Sequence, residues 1–162
     1  MNQLNKKQLI VIEGPTASGK TALGIELAKK WETIIISADS RQFYKELSIG
    51  TAKPSVEEQD GIKHYFIDSH SLEEEITSAV YAREVNQLLK KEFEHHDKII
   101  MVGGSGMFID AVCIGLDDIP KSDEIKAELT FQWENEGLET LLEELKNKDI
   151  EFFNEVDKGN PM

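Results

Sequence analysis

Residues 8–21 read QLIVIEGPTASGKT: an apolar run from Gln8 to Glu13, then Gly14-Pro15-Thr16-Ala17-Ser18-Gly19-Lys20-Thr21. The first six residues have the length and aliphatic content of a buried strand, and Gly14-Pro15 ends it. The next eight match G-x-x-x-x-G-K-[S/T]. Gly19 to Lys30 (GKTALGIELAKK) then has the texture of a helix with lysines in its last turn. Strand, glycine-bounded loop and helix, in that order, are the setting in which this motif holds phosphate. Glycines at both ends let the chain curl until successive N–H groups face one anion, and the helix N-terminus adds partial positive charge. Lys20 can reach the terminal phosphate, and the Thr21 hydroxyl can ligate Mg²⁺. The loop specifies a diphosphate or triphosphate and leaves the rest of the ligand open.

Outward from this loop, strands alternate with helices. Thr33 to Ser37 (TIIIS) reads as a second strand, Lys63 to Asp68 (KHYFID) as a third and Lys98 to Val102 (KIIMV) as a fourth. Asp39 to Tyr44 reads as a loop or short helix. Ala22, Ile25, Leu27 and Ala28 are the inward candidates of the first helix. Thr77 to Phe93 carries Val80, Val85, Leu88, Leu89 and Phe93 at helical spacing, and Met107 to Ile114 forms a helix behind Gly103-Gly104. This alternation predicts an α/β fold: a parallel sheet with helices on both faces, hence three layers. After Pro120 strand signals stop, and Ser122 to Leu145 is acidic with a helical period. The expected division is a core over residues 1–116 and a helical piece over 117–162.

A chain of 162 residues with 40% hydrophobic and 30% charged residues is composed as a globular protein. The net charge of -13 taken alone argues against a nucleic-acid partner. Its distribution weakens that argument. Residues 1–53 hold 8 basic and 5 acidic groups, whereas residues 110–162 hold 5 and 15. The single cysteine, Cys113, permits no internal disulfide and no Cys-rich metal site, which suits a reducing compartment. His64, His70, His95 and His96 lack metal-ligand spacing. Apolar runs such as Leu9 to Ile12 are far shorter than the roughly 18 residues of a spanning helix. Lys6 and Lys7 precede that run, but no cleavage-like site follows it. A cytoplasmic protein with no membrane partner is therefore expected.

Other segments fall at the same carboxyl edge of the expected sheet. Asp39-Ser40-Arg41-Gln42-Phe43-Tyr44 follows the second strand, so Asp39 should face the phosphate loop across a crevice. A carboxylate there could bind Mg²⁺ water or take a proton from a nucleophile. Equally, Asp39 or Ser40 could cap a short helix. Gly103-Gly104-Ser105-Gly106 allows either close packing of helix on strand or backbone approach to a ligand. Gly50-Thr51-Ala52-Lys53-Pro54 is a turn carrying a cation. A nucleotide hydrolase would end an apolar strand in Asp to organise Mg²⁺. Here the fourth strand runs into Val102-Gly103-Gly104, and the strand-end acids are Asp39 and Asp68.

Together, GPTASGKT (14–21), DSRQFY (39–44), IGTAKP (49–54), GIKHYFID (61–68) and GGSGMFIDA (103–111) resemble the tRNA dimethylallyltransferase (tRNA isopentenyltransferase) family in order and spacing. The resemblance implies a P-loop NTPase-like core with part of a helical insertion that grips tRNA. It implies transfer of a dimethylallyl group from dimethylallyl diphosphate to the exocyclic amine of the adenosine 3′ of the anticodon, flipped out of its stack. Gly14 to Thr21 would hold the diphosphate, with Mg²⁺ on Thr21. Thr16 would sit near the breaking bond, and Asp39 would be the general base. Ser40, Arg41, Gln42, Ser105 and Lys126 would face the tRNA anticodon stem-loop. Ser105 stands where the family more often has Thr, Lys63 where it usually has Pro, and Lys126 where an Arg would align. Val156 to Met162 looks like the opening of a family segment that continues further, so the chain is expected to be the N-terminal half. Two other classes fit the loop: a small-molecule kinase using ATP with Asp39 activating a hydroxyl, and an inactive diphosphate-binding fragment.

Overall fold

The computed structural model describes residues 6–116 and 122–159. The chain divides into two units, residues 1–117 and 118–162, each taken here by itself. In the first, β1 (Gln8–Glu13) leads into α1 (Lys20–Trp31), followed by β2 (Ile35–Ala38) and the single turn α2 (Val56–Gln59). Next come β3 (His64–Tyr65), α3 (Ser78–Glu92), β4 (Lys98–Gly103) and α4 (Gly106–Cys113). The four strands are parallel in the order β1-β4-β2-β3. This order puts the carboxyl ends of β1 and β2 on either side of β4. It leaves β1 at the sheet edge, with Val11 36% exposed.

Alternation along the strands sorts the core into two layers, as a period of two requires. Ile35, Ile100 and Val102 pack with Ile25 and Ala28 of α1. Ile34, Ile36, Ile99 and Met101 pack on the other side with Tyr81, Val85 and Leu89 of α3 and Ile109 of α4. Helices thus cover both faces, the expected three-layer α/β arrangement. Two glycines permit the close approaches. A Cβ on Gly24 would lie 2.7 Å from Val102 Cγ2, and one on Gly103 would lie 2.1 Å from the Ala38 carbonyl oxygen. Tyr81 is fully buried and donates its hydroxyl to the Ser37 carbonyl at 2.7 Å. Burial pushes the Tyr81 phenol well above its ordinary pKa, so it remains a donor. Phe43 stacks on Tyr81 with ring centroids 5.0 Å apart and meets Phe66 and Phe108 edge-on.

Several expectations are corrected. The second strand starts at Ile35, not Thr33, and runs on to Ala38. Of the loop or short helix expected over Asp39 to Tyr44, the structure shows the loop, a series of turns. The third strand is two residues long, because Phe66 (φ 62) and Asp68 (φ 50) adopt left-handed backbone and leave the ladder. Ala22 is exposed, and Gly24 is buried in its place. On α3 the apolar spacing missed Tyr81 and Ala82, both buried. Its N-terminus is capped by Thr77, whose hydroxyl accepts from the Val80 amide at 3.3 Å.

The second unit contains α5 (Asp123–Glu136), α6 (Leu138–Lys148) and α7 (Ile150–Glu155). Ser122 caps α5 and Asp149 caps α7 through amide bonds of 3.2 Å and 2.9 Å. Gly137, at φ 88, turns the chain between α5 and α6. None of these helices buries a residue, and Ile125, Phe131 and Phe152 are exposed. The expected boundary at residues 116 and 117 adjoins residues 117–121, which lie outside the described residues.

Two substitutions test this packing by urea denaturation. Gly103→Ala forces a methyl against a backbone carbonyl and should lower stability by at least about 1–3 kcal/mol, the usual range for overpacking. Tyr81→Phe keeps the ring but removes the buried donor, and should lower stability by about 1–3 kcal/mol. An unchanged midpoint in either variant would contradict the packing described.

Candidate active site

Where β1 ends, the chain folds into the loop 14–19. Ala17 (φ 63) and Gly19 (φ 84) are both left-handed, and the Ser18 amide donates to the Pro15 carbonyl at 3.3 Å. Gly19 precedes α1 without a side-chain cap, and the first turn of α1 holds no acid. The first amides of that helix therefore keep their partial positive charge for an incoming anion. Lys20 Nζ donates to the Pro15 carbonyl at 2.6 Å, so the ammonium lies folded over the loop it would share with phosphate.

An open cleft of about 550 Å³, solvent at its mouth included, joins this loop to the end of β2. Thr16, Ala17, Lys20 and Thr21 line one end, with Asp39 and Gln42 beside them. Ile35, Pro54, His64, Ile67 and Val102 form a more apolar wall. Asp39 Oδ1 accepts from the Arg41 amide at 3.1 Å, and the Asp39 carbonyl accepts from the Gln42 amide at 2.9 Å. The carboxylate thus braces a turn instead of capping a helix, and it borders the cleft. Thr21 offers a half-buried hydroxyl to the same space. No group of three or more His, Cys, Asp or Glu side chains could hold a metal among the described residues. A single hydroxyl suits Mg²⁺, which keeps several waters and takes further oxygens from substrate phosphates.

The other expected site residues have different surroundings. Ser105 Oγ accepts from the Ser40 amide at 3.1 Å, and the Ser105 amide donates to the Ala38 carbonyl at 3.2 Å. The glycine turn after β4 therefore clamps the end of β2, and its Gly103 serves close packing. Gln42 has its side chain occupied internally. It accepts from Ser37 Oγ at 2.9 Å and donates to the carbonyls of Thr51 and Ala52 at 3.2 and 3.1 Å. Arg41 is exposed. Lys126 is exposed on α5, in the second unit. Gly14, Pro15, Ser18 and Gly19 shape the phosphate loop without lining the cleft by side chain.

Pattern reading missed His64 as a cleft residue. It pairs with Ile35 in the β2–β3 ladder, a register that the residue order does not reveal. Its Nδ1 lies 2.9 Å from the Ile62 carbonyl and so carries the proton. Its Nε2 is buried and has no hydrogen-bond partner among the described residues. Burial holds the imidazole below its ordinary pKa.

The family model described as IPP transferase matches residues 42–162. The tRNA dimethylallyltransferase of Cytophaga hutchinsonii is 48% identical over 157 residues, covering 96% of this chain and 52% of that protein. The tRNA dimethylallyltransferase of Flavobacterium johnsoniae is 45% identical over 156 residues, covering 96% and 50%. The chain spans about half the length of the curated relatives it matches. Among solved structures, the full-length tRNA isopentenylpyrophosphate transferase from Bacillus halodurans superposes with a TM-score of 0.67 at 32% identity, covering 96% of this chain and 52% of that one. A eukaryotic dimethylallyltransferase described as acting on tRNA gives 0.79 at 22% identity over 96% of this chain and 39% of that one, a likeness of fold. Among the described residues no helix is long and apolar enough to cross a membrane.

The state of His64 gives a pH signature. Below the ordinary value of 6.5 the unfolded chain takes up a proton that folded His64 resists. Stability should therefore fall with pH from about 6.5 until the depressed folded pKa is passed. Glu46 and Glu57, whose carboxyls are held below 4.5 by backbone and side-chain hydrogen bonds, withdraw their contribution only at lower pH. His64→Gln should flatten urea-measured stability between about pH 7 and 5. An equal slope in both proteins would assign the effect elsewhere.

Proposed function

Because the chain belongs to the IPP transferase family, we propose that it supplies the diphosphate site and the proton acceptor for dimethylallyl transfer to tRNA. The observation that carries this reading is the shared cleft, in which Thr16, Lys20 and Thr21 stand with Asp39. The substrates are dimethylallyl diphosphate and the adenosine 3′ of the anticodon, presented on an anticodon stem-loop. In the reaction the C1–O bond of the diphosphate ester breaks and the bond from C1 to the exocyclic nitrogen forms. Diphosphate leaves with the bonding electron pair, and the amine proton passes to the Asp39 carboxylate.

The residues divide this work by chemistry. Loop amides at 14–19 and the start of α1 bind the leaving group as its charge grows. Lys20 swings from the Pro15 carbonyl to a phosphate oxygen, exchanging a neutral acceptor for an anionic one. Thr16 lies beside the bond that breaks. Thr21 would hold Mg²⁺, which when bound adds electrostatic stabilisation to the diphosphate. Ser40 and Arg41 border the adenosine, with Ser105 fixing the Ser40 amide and Gln42 fixing the turn. Lys126 would meet the RNA backbone as a point charge. A kinase reading lacks a strand-end acid on β4, which finishes in Gly103.

Calorimetry with inorganic pyrophosphate and a label-transfer assay with an anticodon stem-loop test the proposal. Lys20→Ala should weaken pyrophosphate binding by about 10- to 100-fold, the effect of losing one charged hydrogen bond. Asp39→Asn should lower dimethylallyl transfer by about 10²–10⁴ while changing pyrophosphate affinity by less than about threefold. Undiminished transfer in Asp39→Asn would remove that residue from the proton step. Phosphate transfer from ATP without dimethylallyl transfer would replace the reaction class.

A further inference from the structure

The turn 39–44 carries Asp39 and forms no helix. A bridge ties its end to His70, whose amide donates to the Phe43 carbonyl at 2.9 Å and whose carbonyl accepts from the Lys45 amide at 3.0 Å. Side chains hold the rest of its shape. One side is held by Gln42, whose amide spans Ser37 and the carbonyls of Thr51 and Ala52. Thr51 in turn is buried, and its hydroxyl bonds the carbonyls of Leu47 and Ser48. The other side is held by Lys53, the cation of the IGTAKP turn. Its side chain is only 10% exposed, an unusual place for a lysine. Nζ donates to the Tyr44 carbonyl and, at 2.6 Å, to Asp68 Oδ1. Asp68 then closes the circuit, because its amide donates to the Gln42 carbonyl at 3.0 Å.

We propose that Lys53 is a positioning residue for Asp39: its ammonium ties Tyr44 and Asp68 together and so fixes the turn that presents the Asp39 carboxylate to the phosphate loop. The path is short and continuous. Lys53 binds Tyr44 and Asp68, Asp68 binds Gln42, and the Gln42 amide binds the Asp39 carbonyl at 2.9 Å. An ion pair whose carboxylate is half exposed is weak evidence for stability as such, since solvent screens it. Its distinctive contribution is orientation. An ammonium must satisfy several acceptors at once, and an apolar side chain in the same space imposes no such register. The left-handed Asp68 backbone fits the same purpose, aiming its carboxylate back at the turn instead of continuing β3.

This inference rests on the reading of Asp39 as proton acceptor, and its test separates the two. Lys53→Met and Lys53→Arg are compared with the unaltered chain by amide hydrogen exchange. Lys53→Met should lower protection of the Gln42 and Asp68 amides at least tenfold and leave the β4 amides of Ile100 and Met101 within about threefold. Lys53→Arg, which keeps the cation, should restore most of the protection. In the transfer assay, Lys53→Met should lower kcat at least tenfold with KM for dimethylallyl diphosphate changed less than about threefold, and Lys53→Arg should recover it. Unchanged protection at Gln42 and Asp68, or a uniform loss reaching β4, would overturn the positioning role. Absence of transfer by the unaltered chain would overturn the reaction instead, and exchange would still decide the place of Lys53.

Discussion

The approach of β2 to β4 at Ala38 and Gly103 governs the molecule. At that pair the sheet has no space for even one methyl on residue 103. The same contact sets where the carboxyl edge lies, and both site segments emerge there. The Ser105 amide reaches the Ala38 carbonyl because residue 103 has no side chain in the way. Ser105 Oγ then receives the Ser40 amide, so the turn bearing Asp39 is registered against β4 as well as β2. On the opposite layer, Tyr81 ties the Ser37 carbonyl to α3. A backbone of sheet, hydroxyl and phenol contacts therefore stands behind the Asp39 carboxylate.

Charge is arranged with similar separation of duties. The glycine-bounded loop 14–19 and the turn 39–44 belong to a stretch with more basic than acidic groups, whereas residues 110–162 carry three acids for every base. RNA backbones are held chiefly by Lys and Arg. On this chain Lys20 lines the cleft and Arg41 is exposed beside Asp39, two cations that fit the proposed diphosphate and single nucleotide more than a long backbone track. Recognition built from these residues would thus be local to the reacting base and its leaving group.

Much of this was legible in residue order, and the rest was hidden for definable reasons. The strand-loop-helix of 8–31 was readable because each part has its own local signal: aliphatic run, paired glycines, basic helix end. The joint placement of Asp39 with the loop followed from parallel topology. Shortening of β3 was invisible, because KHYFID is apolar enough for a strand and nothing local shows that Phe66 and Asp68 adopt positive φ. Gly24 and Gly103 gave no sign of the neighbours they accommodate, since those neighbours come from distant strands. Gln42 borders the cleft, but the bonds that occupy its amide were not legible in the sequence. Its partners, Thr51 and Ala52, are set only when the 51–54 turn folds back, and the partners of Lys53, legible only as the cation of that turn, were hidden for the same reason.

The exposed outer edge of β1 has a consequence for how the polypeptide behaves in company. Gln8 to Glu13 presents an apolar, proline-free hexapeptide whose outward N–H and C=O groups meet no strand among the described residues. Such a segment is a template for edge-to-edge recruitment of further chains. Lys6 and Lys7 at one end and Glu13 at the other act as gatekeepers. Parallel in-register stacking would set like charges 4.7–4.8 Å apart, roughly the cross-β repeat, so the flanks of the strand that builds the phosphate loop also oppose its assembly into fibres.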